Sequence, residues 1–184
     1  DALLVVGDRL GGVVLERGEL GLKGREVRLL VGERLLGREG SVPGRDHLLL
    51  GRLLEAIALG ARDRGLVRHI GITGHLKDFL AETLQLEEIE TVQFPFNAVE
   101  TVGVPALLER AAEKGTGVIV MKPLAGGALR NSGLALRYIL EHAVTTVIPG
   151  MDSLKQVEEN AAVGSAPLPL TVDDKKTLDE EVNT

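Results

Sequence analysis

Gly117-Val118-Ile119-Val120-Met121-Lys122-Pro123-Leu124-Ala125-Gly126-Gly127 begins as an unbroken apolar run of strand length and ends in a proline and paired glycines. A strand with no polar alternation is buried on both faces, and that favours a parallel sheet whose faces are covered by helices. Working outward, the same unit recurs: an apolar strand, a Gly- or Pro-containing loop, then an amphipathic helix. The predicted strands are Val67 to Thr73, Thr91 to Phe96, Gly117 to Lys122 and Thr145 to Pro149, with roughly 25 residues per unit, the length of a compact βα repeat.

Each strand is followed by a helical pattern. Leu76 to Leu86 carries Leu76, Phe79, Leu80, Thr83 and Leu84 on one stripe. Pro105 to Lys114 has proline in its first turn and stops before Gly115, the usual start and stop chemistry. Leu134 to His142 places Leu136, Ile139 and Leu140 at helical spacing, and Ser153 to Val163 opens with a Ser153-x-x-Gln156 capping box. A last helix, Thr171 to Glu181, has its own Thr171-x-x-Asp174 cap, after Pro167 and Pro169 keep the chain extended. Parallel βα units close into a barrel or open into a doubly wound sheet, and periodicity does not choose between them.

The 184 residues suffice for one domain with a core, and 44% hydrophobic content is that of a globular chain. Aromatics are only 2%, so packing rests on Leu, Val, Ile and Ala. A formal charge of −6 argues against a general nucleic-acid binder and for a small-molecule partner. The absence of cysteine excludes disulfides, thiolate metal sites and a Cys nucleophile within these residues. Asp1-Ala2-Leu3-Leu4 shows no basic segment ahead of an apolar one, and no apolar run approaches ~18 residues. No signal peptide or membrane span is therefore expected, and a cytoplasmic location is. With no initiator Met at its start, the sequence is expected to be a fragment or a processed product.

A seam falls near residue 65. Residues 1–65 contain ten Arg against one Lys and no Asn, Gln, Thr, Tyr, Phe or Met, whereas 66–184 have an ordinary composition. Short strands are predicted at Ala2 to Gly7, Gly12 to Leu15 and Glu26 to Val31, a turn at Ser41-Val42-Pro43-Gly44 and a helix from Leu48 to Arg64. Two explanations stand level: a GC-rich genome writing an atypical segment of the same domain, or a frame-shifted or truncated gene whose native N-terminal half has been replaced.

The residues at the carboxyl ends of the strands carry a resemblance. Gly65 to His75, Val92-Gln93-Phe94-Pro95-Phe96-Asn97, Gly117 to Gly127, Ala135-Leu136-Arg137-Tyr138, and Val147 to Met151 with Glu159-Asn160, in that order and spacing, resemble the C-terminal half of an aldo/keto reductase of the bacterial and archaeal branch. That resemblance implies a (β/α)8 barrel of TIM type, present in part as strands five to eight behind the atypical N-terminal segment. It implies an NADP(H) cofactor, with NAD(H) as the alternative, bound without a Rossmann fingerprint, and an aldehyde or ketone substrate.

By the same resemblance, Thr73 and Gln93 hold the nicotinamide carboxamide, and Met121 stands where many relatives stack an aromatic ring. Leu124, Ala125, Gly126 and Gly127 approach the pyrophosphate, with Pro123 beside them at the cofactor and Lys122 as a substrate- or cofactor-facing cation. Gly150, Met151 and Ser153 approach the adenosine phosphate, where a helix N-terminus favours an anion. Gln156, Glu159 and Asn160 meet the adenine end. Gln156 stands where many relatives have an Arg that grips a 2′-phosphate, so the choice of NADP over NAD is open.

The family's proton donor is a Tyr aided by Lys, His and Asp, all from the barrel's N-terminal half, and no such set is identifiable in this chain. Tyr138 lies within a helical packing pattern. Lys23 and His47 sit in no family motif. An eight-stranded barrel needs about 250 residues, so a part-barrel is expected to self-associate through its open edges or to use the N-terminal segment as a substitute.

Other residues have plainer readings. His75 reads as a loop histidine, His69 as a hydrogen-bonded strand residue, Asn97 and Glu100 as barrel-mouth polar groups or caps, and Asp173, Asp174, Glu180 and Glu181 as a solvated face. Glu87-Glu88-x-Glu90 lacks metal-ligand spacing, and no metal is expected. Two rival functions remain: a phosphate-binding lyase or isomerase forming a Schiff base at Lys122, and a non-catalytic or truncated nucleotide-binding homologue.

Overall fold

The computed structural model describes residues 2–5, 27–32, 56 and 58–183. Gly12 to Leu15, the turn at Ser41 to Gly44, Lys23 and His47 lie outside the described residues, as does most of the compositionally distinct segment. The chain divides into two compact units, one of Asp1–Gln93 with Glu113–Thr116 and one of Phe94–Ala112 with Gly117–Thr184.

The first unit is built on parallel strands. β1 (Ala2–Val5) pairs with β2 (Val27–Gly32), β2 with β3 (His69–Thr73), and β3 with β4 (Thr91–Pro95), all in parallel. The strands anticipated from Ala2 and Glu26 are therefore present. Helix α1 covers residues 58–63 and buries Ala58 and Ala61. Helix α2 (Lys77–Thr83) buries Phe79, Leu80 and Thr83, the stripe read from its spacing. It is shorter than anticipated at both ends: Leu76 is extended with no side-chain cap, and beyond Thr83 the amides of Gln85 and Leu86 turn back to the carbonyls of Glu82 and Thr83. His69 Nδ1 meets Glu90 Oε2 at 2.5 Å, and the Glu90 amide donates to the Ile70 carbonyl at 2.9 Å. Lys114 Nζ donates to the carbonyls of Leu86 and Ile89, and Thr116 Oγ1 also to Ile89.

In the second unit, β5 (Gly117–Met121) pairs in parallel with β6 (Thr146–Val147), Ile119 opposite Thr146 and Val120 opposite Val147. β6 is short because Pro149 has no amide to extend the ladder, whose last bond runs from the Ile148 amide to the Val120 carbonyl at 2.9 Å. Helix α3 (Val104–Lys114) buries Val104, Leu107, Leu108 and Ala111, one stripe at helical spacing. α4 (Ser132–Leu140) starts two residues before the predicted Leu134, because Asn131 is the N-cap and its side chain accepts the Leu134 amide at 3.1 Å. α5 (Leu154–Ser165) and α6 (Val172–Val182) both open with the capping boxes visible in the sequence. Leu129, Leu134, Ala135, Leu170 and Leu178 form the buried cluster that packs α4 against α6, with Leu124, Ala125 and Tyr138 beside it. Burying each leucine contributes on the order of 1.5–3 kcal/mol.

Candidate functional site

In the first unit Thr73 closes β3 and is the register partner of Gln93 on β4. Both are buried, and the Gly74 amide donates to the Gln93 carbonyl at 3.0 Å. The two polar side chains anticipated at one carboxamide thus stand at the same level on adjacent strands.

In the second unit the chain leaves β5 through a rim of unusual backbone. Lys122 and Ala125 have φ of 53° and 49°, and Gly126 and Gly127 have φ of 69° and 99°. The left-handed region costs a residue with a Cβ roughly 1–2 kcal/mol, so Lys122 and Ala125 must be held there by their surroundings. Asn97 supplies part of that hold. It is wholly buried; its Nδ2 donates to the Lys122 carbonyl at 3.0 Å, and its Oδ1 accepts the amides of Val99 and Glu100 at 2.9 and 2.8 Å. Pro123 is buried beneath the rim, whereas Lys122 is exposed. A Schiff-base lysine works from a desolvated site, and Lys122 is exposed. Inside the rim the amides of Ala125 and Gly127 donate to the carbonyls of Lys122 and Leu124, at 3.0 and 2.8 Å.

After β6, Gly150, Met151 and Ser153 are exposed and lead into α5. Here Gln156 Oε1 accepts the amides of Asp152 and Ser153 at 2.6 and 3.2 Å, while Ser153 Oγ accepts the Gln156 amide at 3.3 Å. Lys155 Nζ lies 3.5 Å from Glu159 Oε1.

α5 and the start of α4 border an open cleft of about 720 Å³, lined by Arg130, Asn131, Ser132, Gly133, Glu159 and Asn160 among others. Its volume is in the ~300–1,000 Å³ range of small-molecule sites. Glu181 of α6 also lines it, and its carboxylate accepts the amides of Arg130 and Asn131 at 3.1 and 3.2 Å. Glu159 and Asn160 were anticipated; the Arg130 to Gly133 segment was not. Its signal was Asn131-Ser132-Gly133 ahead of an apolar period, a helix start that also marks a loop close to a helix N-terminus.

Tyr138, the chain's one tyrosine, packs at ring-centroid distances of 5.8 Å from Phe96 and 5.0 Å from His142. Burial pushes its phenol up, and the carboxylates of Asp179 and Glu141 add to the effect. A phenol that gives up its proton in catalysis needs the opposite shift, so Tyr138 is a packing residue. Among the described residues no His, Cys, Asp and Glu cluster could hold a metal ion, and no helix is long and apolar enough to cross a membrane.

No family model matches the chain. It is 31% identical over 137 residues to an uncharacterized oxidoreductase of Schizosaccharomyces pombe, covering 65% of this chain and 44% of that protein. Its structure is similar to aldo-keto reductase AKR11C1 from Bacillus halodurans, with a TM-score of 0.57 and 20% identity over 84% of this chain and 60% of that one. It is also similar to an aldo/keto reductase from Klebsiella pneumoniae solved in complex with NADP and acetate, with a TM-score of 0.52 and 18% identity over 84% and 57% of the two chains. The chain thus spans about half the length of the relatives it matches. Its fold is part of an aldo/keto reductase (β/α)8 barrel. The solved aldo/keto reductases share this fold, and the curated relative is an oxidoreductase.

Proposed function

We propose that this chain is the cofactor-binding part of an aldo/keto reductase-type oxidoreductase, which uses a nicotinamide dinucleotide to reduce an aldehyde or ketone. The observation that carries this reading is the cleft of the second unit. Glu159 and Asn160 of α5 line it together with Arg130, Asn131 and Ser132. That donor and acceptor set fits adenosine, whose amine, ring nitrogens and ribose hydroxyls need both kinds of partner.

When bound, the reduced nicotinamide supplies a hydride to the carbonyl carbon. In this reading Met121 gives the nicotinamide ring an apolar contact, and the Lys122 to Gly127 rim, with Gly150 and Met151, serves the phosphates. The proton donor is not assigned to any residue of this chain. Self-association through open strand edges belongs to the same reading; sedimentation of the purified chain as a single monomeric species at all concentrations would remove that part.

The test is a titration of the purified chain with a reduced nicotinamide dinucleotide, followed by its fluorescence. Saturable binding is expected, weakened by about fivefold to tenfold in Asn160→Ala through loss of one hydrogen-bonding group. Absence of binding to the unmutated chain would sink the proposal. Carbonyl-dependent consumption of the reduced cofactor then separates a reductase from a binding homologue that does not turn over.

A further inference from the structure

Leu154, Val157, Ala161 and Gly164 of α5 recur at intervals of three, four and three residues, the spacing of a seam between two helices. All four are exposed, Leu154 by 82%, and among the described residues none of the twelve in α5 is buried. A helix of that length is marginal in water by itself, so its apolar stripe calls for a cover. We infer that the cover is the same stripe of a second copy of this chain, the two α5 helices running antiparallel about a two-fold axis. The pairing adds a helix surface to the strand edges and holds whether or not the cleft takes a nucleotide.

The stripe is graded from large to small, and such a stripe is complementary to its own reverse. With the axis level with Glu159, Leu154 faces the partner's Gly164 and Val157 faces the partner's Ala161. Each large residue then meets a small one in both halves, as a two-fold interface requires. A parallel pairing would set leucine on leucine and leave the Gly164 end unfilled, a loss of close packing.

Charge and area agree with this occupant. Lys155 and Glu159 pair with each other at 3.5 Å on another side of the helix, so neither charge enters the seam, and Glu158 stays at its exposed rim. Ile148 and Met151, ahead of the helix, are also exposed apolar residues. With Leu154 and Val157 they offer on the order of 300 Å² of apolar surface per copy, the size of patch that marks an association surface. Two copies with their polar rims approach the ~1,200 Å² at which specific, stable interfaces begin.

The experiment is sedimentation equilibrium of the purified chain, repeated with Leu154→Glu and Val157→Glu. Val172→Glu is the control, because it places the same charge on an apolar residue of α6 that is 84% exposed. The unmutated chain and the control are expected to dimerise equally well, and both α5 variants to dissociate at least about tenfold more readily. Thermal melts establish that the variants fold. The chain has no cysteine, so single cysteines report the register. Val157→Cys mixed with Ala161→Cys is expected to form disulfide-linked dimers faster than either variant alone. A monomer at every concentration, a dimer as tight in both folded α5 variants as in the unmutated chain, or crosslinking no faster in the mixture would overturn the pairing.

Discussion

At Ala125 the backbone sits at a φ of 49°, and two residues later Gly127 sits at 99°. The first is a residue with a Cβ in the left-handed region, and the second is a glycine where only glycine is comfortable. A Cβ on Gly127 would meet no atom within 4 Å, so the cost of adding one is that of the backbone angle alone. The two substitutions should therefore act with opposite sign. Ala125→Gly is expected to leave stability unchanged or raise it by up to about 1 kcal/mol, and Gly127→Ala to lower it by about 1 kcal/mol or more. Urea unfolding of the pair checks both; the same sign for each would refute the strain argument. Asn97 gives a second expectation. Asn97→Ala leaves the Lys122 carbonyl and the amides of Val99 and Glu100 without their partner, at a cost of about 2 kcal/mol. Asn97→Asp keeps the acceptor for the two amides but sets a buried carboxylate oxygen against the Lys122 carbonyl, and should cost at least as much. The sequence left Asn97 between a barrel-mouth group and a cap, since its third partner, Lys122, is 25 residues away and no local pattern reveals it.

Among the elements, α6 shows what was legible and what was not. The Thr171 and Asp174 capping box was readable, being spaced within one turn, and it is formed as expected. The attachment of the segment before α6 was not. Arg137 of α4 donates from Nε to the Leu168 carbonyl at 2.8 Å and from Nη2 to that of Pro169 at 2.5 Å, and meets Asp174 Oδ2 at 2.8 Å. Glu141 accepts the Leu170 amide at 2.6 Å and lies 3.6 Å from Lys175. A helix-surface arginine in a sequence gives no hint of partners 31 and 37 residues away. The Thr171 amide and hydroxyl, then Arg137, hold the Asp174 carboxyl below its ordinary value, and the Leu170 amide and then Lys175 do the same for Glu141. A carboxylate whose pKa falls on folding stabilises the fold above its ordinary pKa, and that contribution is lost as pH falls through the depressed value. Melting temperature should therefore drop below the ordinary carboxylate range, near pH 4. Asp174→Ala should melt lower at neutral pH and lose less on acidification; an unchanged acid slope would count against the attachment.

On the scale of the molecule, the parallel βα repeat was legible because buried strands and capped helices announce themselves within a few residues. Gly117–Met121 is a strand, and α5 and α6 begin at their caps. The cleft was half legible. Glu159 and Asn160 were named from a resemblance, while Arg130 to Gly133 and Glu181 reach it only through the packing of α4, α5 and α6. The capped turn of α5 was read both as a helix start and as a phosphate site. Its side chains make the first reading: Gln156 Oε1 holds the amides of Asp152 and Ser153, and Ser153 Oγ that of Gln156. The structural relatives extend well beyond this chain, which covers 60% of the Bacillus halodurans reductase. The most direct test of the nucleotide site is therefore a crystal structure of the purified chain grown with NADH. Adenosine is expected in the cleft, in contact with Asn160 and with the Asn131 to Gly133 segment. An ordered dinucleotide bound elsewhere, with that cleft holding only solvent, would contradict it.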